Sequence, residues 1–294
     1  MKKKNGEKLF GTDGIRGRAN YYPMTPEIAL VVGKAVAKFF LKKNGKIHRI
    51  VIGKDTRLSG YMLETALTSG IVSMGVDVLL VGPMPTPAIA KLTVSMNADA
   101  GIVLSASHNP ADDNGIKIFD SKGFKLDDAS EQEIENIILN GTESLAGSSK
   151  IGKAYRVNEA KGRYIEFAKS TIDDAPLNGL KLVVDCANGA AYSVAPQIFS
   201  ELGAEVIAIN TSPNGTNINL KCGALHPESM CALVKKNKAD LGIALDGDAD
   251  RAVFCNEKGE IINGDSILAM AAIELKKRGL LSKNTVVVTV MSNL

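Results

Sequence analysis

Three aspartates, Asp246, Asp248 and Asp250, alternate with small residues in the segment Asp-Gly-Asp-Ala-Asp-Arg. In extended backbone, alternate side chains point to the same side, so we expect the three carboxylates to converge. Converging carboxylates repel one another, and a hard divalent cation relieves that repulsion. Mg²⁺ suits such a set because it binds few protein oxygens and keeps positions for a substrate phosphate. The pattern predicts a magnesium site, with a solvent-exposed acidic turn as the alternative.

A hydroxyl nucleophile is the second candidate. Ser107 precedes His108 in the segment Ser-Ala-Ser-His-Asn-Pro, residues 105–110, and the imidazole could orient the hydroxyl or carry its proton. A serine that caps a turn is the alternative, since serines commonly do so. If Ser107 bore a phosphoryl group, its oxygen would add a fourth ligand to the metal. The metal would then neutralise charge during phosphoryl transfer.

Phosphate chemistry also needs positive groups, and three basic residues are placed to supply them. Arg16 lies in a glycine-rich segment at residues 11–17, Lys117 follows the turn signal Asn-Gly, and Arg251 adjoins the aspartates. Each alone is explained as a surface charge. Together with the two loops, they predict a site for a phosphorylated ligand.

The elements that must position these loops alternate along the chain, which is typical of an α/β fold. Short β-branched runs predict strands at residues 49–53, 76–81, 101–105, 181–185, 205–210 and 241–246. Helical patterns occupy residues 25–42, 61–73, 191–202 and 227–236. The serine and aspartate loops each follow a predicted strand, at the sheet edge where α/β proteins commonly bind ligands.

The chain repeats itself. Residues 98–107 align without a gap on residues 239–248, which places the two loops at matching positions. We expect tandem, similar, three-layer α/β domains with mixed sheets: domain 1 at 1–155, domain 2 at 156–260, and the start of a truncated third copy at 261–294. Residues 284–290 predict the first strand of that third copy. A buried strand without covering elements suggests that the sequence is a fragment, and a strand completing the second sheet is the alternative.

Composition excludes several classes of protein. Of 294 residues, 45% are hydrophobic, which is enough for a core, and 35 basic against 32 acidic residues leave no strong field for nucleic acid. Four cysteines without a Cys-x-x-Cys pair predict free thiols rather than a zinc site. No apolar stretch follows the basic start, and none is long enough to cross a bilayer. We therefore expect a cytoplasmic protein with no membrane partner.

Taken together, the motifs resemble those of the α-D-phosphohexomutase superfamily, and within it the branch that acts on glucosamine phosphates. The segments that resemble the family lie at residues 10–17, 53–59, 105–110, 114–117, 246–251 and 288–294. The resemblance implies an intramolecular phosphotransferase of the isomerase class, which makes amino-sugar precursors of the cell wall. It also implies that Ser107 is a phosphoserine and that Asp246, Asp248 and Asp250, with Ser107, bind Mg²⁺.

The implied reaction interconverts glucosamine 6-phosphate and glucosamine 1-phosphate through glucosamine 1,6-bisphosphate. Lys117 matches the family's general acid–base residue, and His108, Arg16 and Arg251 match residues around the transferring phosphoryl group. Action on mannose or glucose phosphates, and a non-catalytic binding module, are the alternatives, and a homodimer stays open. The sugar-specificity loop and distal phosphate loop of the family are not found in the sequence, so we expect little or no mutase activity from these 294 residues alone.

Overall fold

A computed structural model describes residues 8–41, 48–141, 145–173 and 175–292. Its first unit is built on a mixed six-stranded sheet in the order β1-β5-β4-β2-β3-β6. Strands β2, β3, β4 and β6 are parallel, and β5 runs antiparallel to both β4 and β1. The strands are β1 (Ile15–Arg18), β2 (Arg49–Lys54), β3 (Asp77–Pro83), β4 (Ala100–Leu104), β5 (Asp113–Asp120) and β6 (Ala154–Arg156).

Helices cover both faces of this sheet, because its central strands are apolar on both sides. Helices α1 (Pro26–Leu41), α2 (Leu58–Val72) and α4 (Asp128–Asn140) share one core with the sheet. Helix α3 (Thr86–Ser95) packs on β2 and β4 from the other face, against α5 (Ala160–Ser170). The carboxylate of Asp127 accepts a hydrogen bond from the backbone N–H of Ser130 and so caps α4.

The second unit repeats this plan on a smaller scale, in the order β11-β10-β9-β7-β8. The elements are β7 (Lys181–Asp185), α6 (Val194–Glu201), β8 (Glu205–Ile209), α7 (Glu228–Asn237), β9 (Leu241–Leu245), β10 (Ala252–Cys255) and β11 (Ile261–Ile262). Parallel β9-β7-β8 corresponds to β4-β2-β3, and antiparallel β10 corresponds to β5. Helices α6 and α7 lie on opposite faces. The tandem three-layer architecture is therefore confirmed.

Strand pairing reaches slightly beyond the expected limits at 155 and 260. Arg156 still pairs with Leu80 of the first sheet, and Ile261–Ile262 pairs with β10 of the second. Residue 42, the last of the helix predicted over 25–42, lies outside the described residues. Residues 293 and 294 of the 288–294 segment also lie outside them. The cysteines are free: Cys186, Cys222 and Cys255 are buried, and Cys231 is partly exposed.

The predicted strand over 284–290 is wrong. Helix α8 (Gly264–Lys277) is followed by a 3₁₀ turn, Ser282–Asn284, and then by irregular backbone in which Val287 and Val290 are exposed. A β-branched run forms a strand when a neighbouring strand pairs with it, and no described strand pairs with these residues. None of the helices in the described ranges combines the length and apolar character needed to cross a bilayer.

Candidate functional site

The serine and aspartate loops meet. One loop follows β4 of the first sheet and the other follows β9 of the second, at corresponding strand ends. The Oγ atom of Ser107 donates a hydrogen bond to Oδ2 of Asp246 across 2.7 Å. Both residues are fully or almost fully buried. They meet although 139 positions of the sequence separate them. The structure thus places a hydroxyl from one unit against a carboxylate from the other.

The three aspartates converge, although residues 246–250 form a turn, with Ala249 at a φ of 54°, rather than the extended backbone from which convergence was predicted. One carboxylate oxygen each from Asp246, Asp248 and Asp250 lies within 4.8 Å of the others. Asp246 and Asp248 are buried, so the loop is not the solvent-exposed turn that was the alternative. The Oδ1 atom of Asp248 is buried and has no hydrogen-bond partner among the described residues. A hard oxygen donor set with an unpartnered buried carboxylate oxygen fits a divalent cation such as Mg²⁺.

Lys117, on β5, partly neutralises this negative charge. Its Nζ atom lies 3.0 Å from Oδ2 of Asp248 and 3.5 Å from Oδ2 of Asp250. Burial works to lower the pKa of Lys117, but attraction to Asp248 outweighs it and the pKa is raised. In turn, burial works to raise the pKa of Asp248, but Lys117 and a hydrogen bond from Thr86 hold it below the usual value. Lys117 is therefore a protonated ammonium group at neutral pH.

The pKa of Asp246 shifts in the opposite direction from that of Asp248, because no described lysine forms an ion pair with Asp246. Burial, followed by the charges of Asp248 and Asp250, raises the pKa of Asp246 to about 6. The Arg251 side chain is half exposed to solvent, and its Nε atom lies 3.8 Å from Oδ2 of Asp246. A carboxylate held in this way is readily stabilised by an additional cation.

His108 and Arg251 border Ser107. Nη2 of Arg251 lies 2.7 Å from Nδ1 of His108 and 3.3 Å from Oγ of Ser107. Burial, followed by the positive charges of Arg251 and Arg16, lowers the pKa of His108. Nδ1 thus accepts a hydrogen bond from Arg251, and the neutral imidazole carries its proton on Nε2.

Arg16 lies on β1, which is antiparallel to the strand that carries Lys117. Its guanidinium pairs with Asp13, whose carboxylate also lies 3.3 Å from Nζ of Lys117. The Nε atom of Arg16 is buried and has no partner among the described residues. All the basic residues singled out from the sequence therefore surround the same two loops.

Sequence reasoning missed three residues that hold these loops. Thr86, at the start of α3, donates its hydroxyl to Oδ2 of Asp248 at 2.6 Å and its N–H to the Asp248 carbonyl at 2.9 Å. Arg57 and Asn219 both donate to carbonyl groups of the serine loop. Arg57 stands in a segment noted only for its resemblance to the family. Thr86 and Asn219 show no local signal, because their partners lie more than 100 positions away.

Comparisons with known proteins show which family the chain resembles. Domain I and domain II models of the phosphoglucomutase/phosphomannomutase family match residues 7–145 and 162–259. A phosphoglucosamine mutase of Geobacter sp. (strain M21) is 62% identical over 292 residues, and one of Citrifermentans bemidjiense is 61% identical. A solved phosphoglucomutase/phosphomannomutase family protein from Burkholderia thailandensis superimposes with a TM-score of 0.81 at 30% identity, over 92% of this chain and 59% of that one.

The tandem α/β fold is thus shared with a solved member of the phosphoglucomutase/phosphomannomutase family. The chain belongs to the phosphoglucomutase/phosphomannomutase family, and the resemblance to the superfamily is confirmed. Each of the two phosphoglucosamine mutases is matched over 98% of this chain, and the chain spans 64% of their length.

Proposed function

We propose that the chain carries the nucleophile and metal site of a phosphoglucosamine mutase, which interconverts glucosamine 6-phosphate and glucosamine 1-phosphate. The main observation is the 2.7 Å contact between Oγ of Ser107 and Asp246, beside two further aspartates. The identity of about 60% to proteins of that name supports the choice of sugar. In this proposal Ser107 is the phosphorylated residue, and the three aspartates with the serine oxygen bind Mg²⁺.

Bound Mg²⁺ would neutralise charge on the transferring phosphoryl group. In the forward direction, the bond between Oγ of Ser107 and phosphorus breaks, and the anomeric oxygen of glucosamine 6-phosphate bonds to that phosphorus. The proton of the anomeric hydroxyl passes through Lys117 to Oγ of Ser107, and the product is glucosamine 1,6-bisphosphate with a free Ser107 hydroxyl. After the bisphosphate turns around, Oγ of Ser107 bonds to the 6-phosphorus, the bond from that phosphorus to O6 breaks, and the serine proton passes to O6 as glucosamine 1-phosphate leaves.

The chain's own groups have distinct tasks in this scheme. Lys117, held protonated by Asp248, donates a proton to the oxygen that leaves phosphorus, and its conjugate amine accepts the proton of the attacking hydroxyl. Arg251 and Arg16 supply positive charge beside the phosphoryl group. His108 is fixed by Arg251 next to Ser107 and remains neutral, so it contributes hydrogen bonding rather than charge.

Phosphoryl transfer to Ser107 tests the proposal directly. The chain is incubated with glucosamine 1,6-bisphosphate and Mg²⁺, and its intact mass is followed over time. We expect the mass of one phosphoryl group to be added, and the addition to be absent in Ser107→Ala and greatly slowed without Mg²⁺. Ser121→Ala, which changes an exposed serine in the turn after β5, is the matched control and should react like the unmodified chain.

The same measurement separates the alternatives. Faster uptake from glucose or mannose 1,6-bisphosphate than from the glucosamine compound would favour a phosphoglucomutase or phosphomannomutase. A chain that takes up no phosphoryl group from any of the three would be a non-catalytic binding module, and the proposed function would be wrong.

A further inference from the structure

The serine loop is held by two donors that bind the same pair of carbonyl groups. The Ser107 carbonyl accepts from Nη2 of Arg57 at 3.2 Å and from Nδ2 of Asn219 at 2.9 Å. The Asn109 carbonyl accepts from the same two atoms, at 2.6 Å and 3.1 Å. Ser107 has a φ of 51°, a left-handed conformation that is uncommon for residues other than glycine. External donors therefore keep the loop in an unfavourable backbone conformation.

Arg57 acts from within the first unit. Its side chain is fully buried, and its Nη1 atom pairs with the carboxylate of Asp55. That carboxylate also accepts the hydroxyl of Ser105 at 2.5 Å, and the Ser105 oxygen accepts the backbone N–H of Ser107 at 2.9 Å. This network fixes the shape of the loop relative to its own sheet.

Asn219 acts from the second unit. Its backbone N–H donates to the Ala187 carbonyl at 2.9 Å, in the turn that follows β7. Its amide nitrogen lies so close to Gly247 that a Cβ atom there would be 2.8 Å from it. One buried side chain therefore contacts the serine loop and the aspartate loop at the same time.

We propose that Asn219 is a positioning residue that sets the distance between Oγ of Ser107 and the aspartates. The inference rests on the proposed function, since that distance matters when a phosphoryl group is transferred beside a bound cation. Arg57 defines the shape of the serine loop, and Asn219 fixes that shape relative to the second unit. Displacement of a nucleophile by about 1 Å can slow a reaction about 100-fold.

The variants are chosen to keep the backbone unstrained. Asn219 has a φ of 58°, which glycine, aspartate and asparagine tolerate best. Asn219→Gly removes the amide, and Asn219→Asp keeps its shape but presents oxygens to both carbonyl groups. Asn214→Ala is the matched control, because the hydrogen bonds of this exposed asparagine stay within its own turn. Circular dichroism establishes that each variant is folded, and the second variant at position 219 serves if the first is not.

Two readouts are measured. Hydrogen exchange of residues 106–110 should accelerate at least about 10-fold in both Asn219 variants, because the loop opens locally. Phosphoryl uptake at saturating bisphosphate and Mg²⁺ should slow about 10- to 100-fold. In Asn219→Gly the Mg²⁺ concentration for half-maximal uptake should rise by a smaller factor than the rate falls, because the three aspartates are unchanged, whereas loss of an aspartate ligand would raise it further. The Asn214→Ala control should match the unmodified chain in all of these measurements.

Unchanged hydrogen exchange of residues 106–110 in both Asn219 variants would overturn the proposal. If the unmodified chain takes up phosphoryl groups, faster hydrogen exchange with an unchanged rate of phosphoryl uptake in the variants would also overturn it. If the unmodified chain takes up no phosphoryl group, the proposed function fails on its own. The exchange rates then decide alone whether Asn219 fixes the loop.

Discussion

At the scale of single residues, the hydrogen bonds that a side chain already makes decide which role in the site it can take. Nδ1 of His108 lies 3.4 Å from Oγ of Ser107 but only 2.7 Å from the Arg251 guanidinium. The sequence allowed His108 either to orient the serine or to take its proton. The structure disfavours proton transfer to Nδ1, because Arg251 engages the lone pair that faces the serine and Oγ of Ser107 donates to Asp246.

The titration of His108 tests this assignment. We expect its NMR-monitored midpoint to lie below 6.5, since burial, Arg251 and Arg16 all disfavour the imidazolium. The folded chain then binds this proton less readily than the unfolded chain. His108 therefore costs stability as the pH falls through 6.5 and has no such effect at higher pH. Arg251→Ala should raise the midpoint without moving the signal of exposed His226, and an unchanged midpoint would contradict the assignment.

At the scale of elements, the strands that precede the functional loops could be predicted and the contacts between loops could not. The apolar runs before Ser105 and Asp246 are strands within a residue or two of the expected limits, because a strand buried on both faces has a local apolar pattern. The partners of Asn219 and Thr86 depend on how two sheets meet, which local spacing does not encode. The strand over 284–290 failed for a related reason, since a strand also requires a partner.

Close packing between turns is one consequence of these contacts, and two glycines test it. A Cβ atom on Gly189, in the turn after β7, would lie 2.4 Å from the Gly247 carbonyl oxygen. We expect Gly189→Ala to destabilise the chain by about 1–3 kcal/mol and to weaken Mg²⁺ binding, because the aspartate loop must move. The free energy of unfolding from urea titration and the Mg²⁺ affinity from calorimetry measure these effects.

Gly162 provides the matched control. It is exposed within α5, and a Cβ atom there would meet nothing within 4 Å. Gly162→Ala should stabilise the chain by about 0.4–1 kcal/mol and leave Mg²⁺ affinity unchanged. Equal effects of the two substitutions would show that the turn after β7 does not support the aspartates.

At the scale of the whole molecule, one apolar core joins the two units. It includes Val51 and Ile89 from the first unit and Val184 and Val194 from the second. Helix α5 packs against α3 on one side and α6 on the other. Hydrogen bonds from Thr56 to the Asn188 carbonyl and from Thr86 to Asp248 add polar contacts between the units. The sheets are therefore expected to lose structure together.

Unfolding in urea followed by hydrogen exchange tests this expectation. Peptides from β2 and β4 should lose protection at the same urea concentration as peptides from β7 and β9. Mg²⁺ at 100 times its dissociation constant should stabilise both sets by about 2.7 kcal/mol. Asp246→Asn should abolish that gain. Separate transitions for the two sheets would contradict the prediction.

The burial of the cysteines has a practical consequence. Burial raises the pKa of Cys186 and Cys255 to about 12 and that of Cys222 to about 11, so at neutral pH these thiols are almost entirely protonated and unreactive. Cys231 on α7 is partly exposed, and we expect maleimide reagents to reach it before the three buried thiols. A fluorophore attached there, paired with a second dye on a cysteine introduced at the surface of the first unit, would report the separation of the two halves without removal of any native thiol.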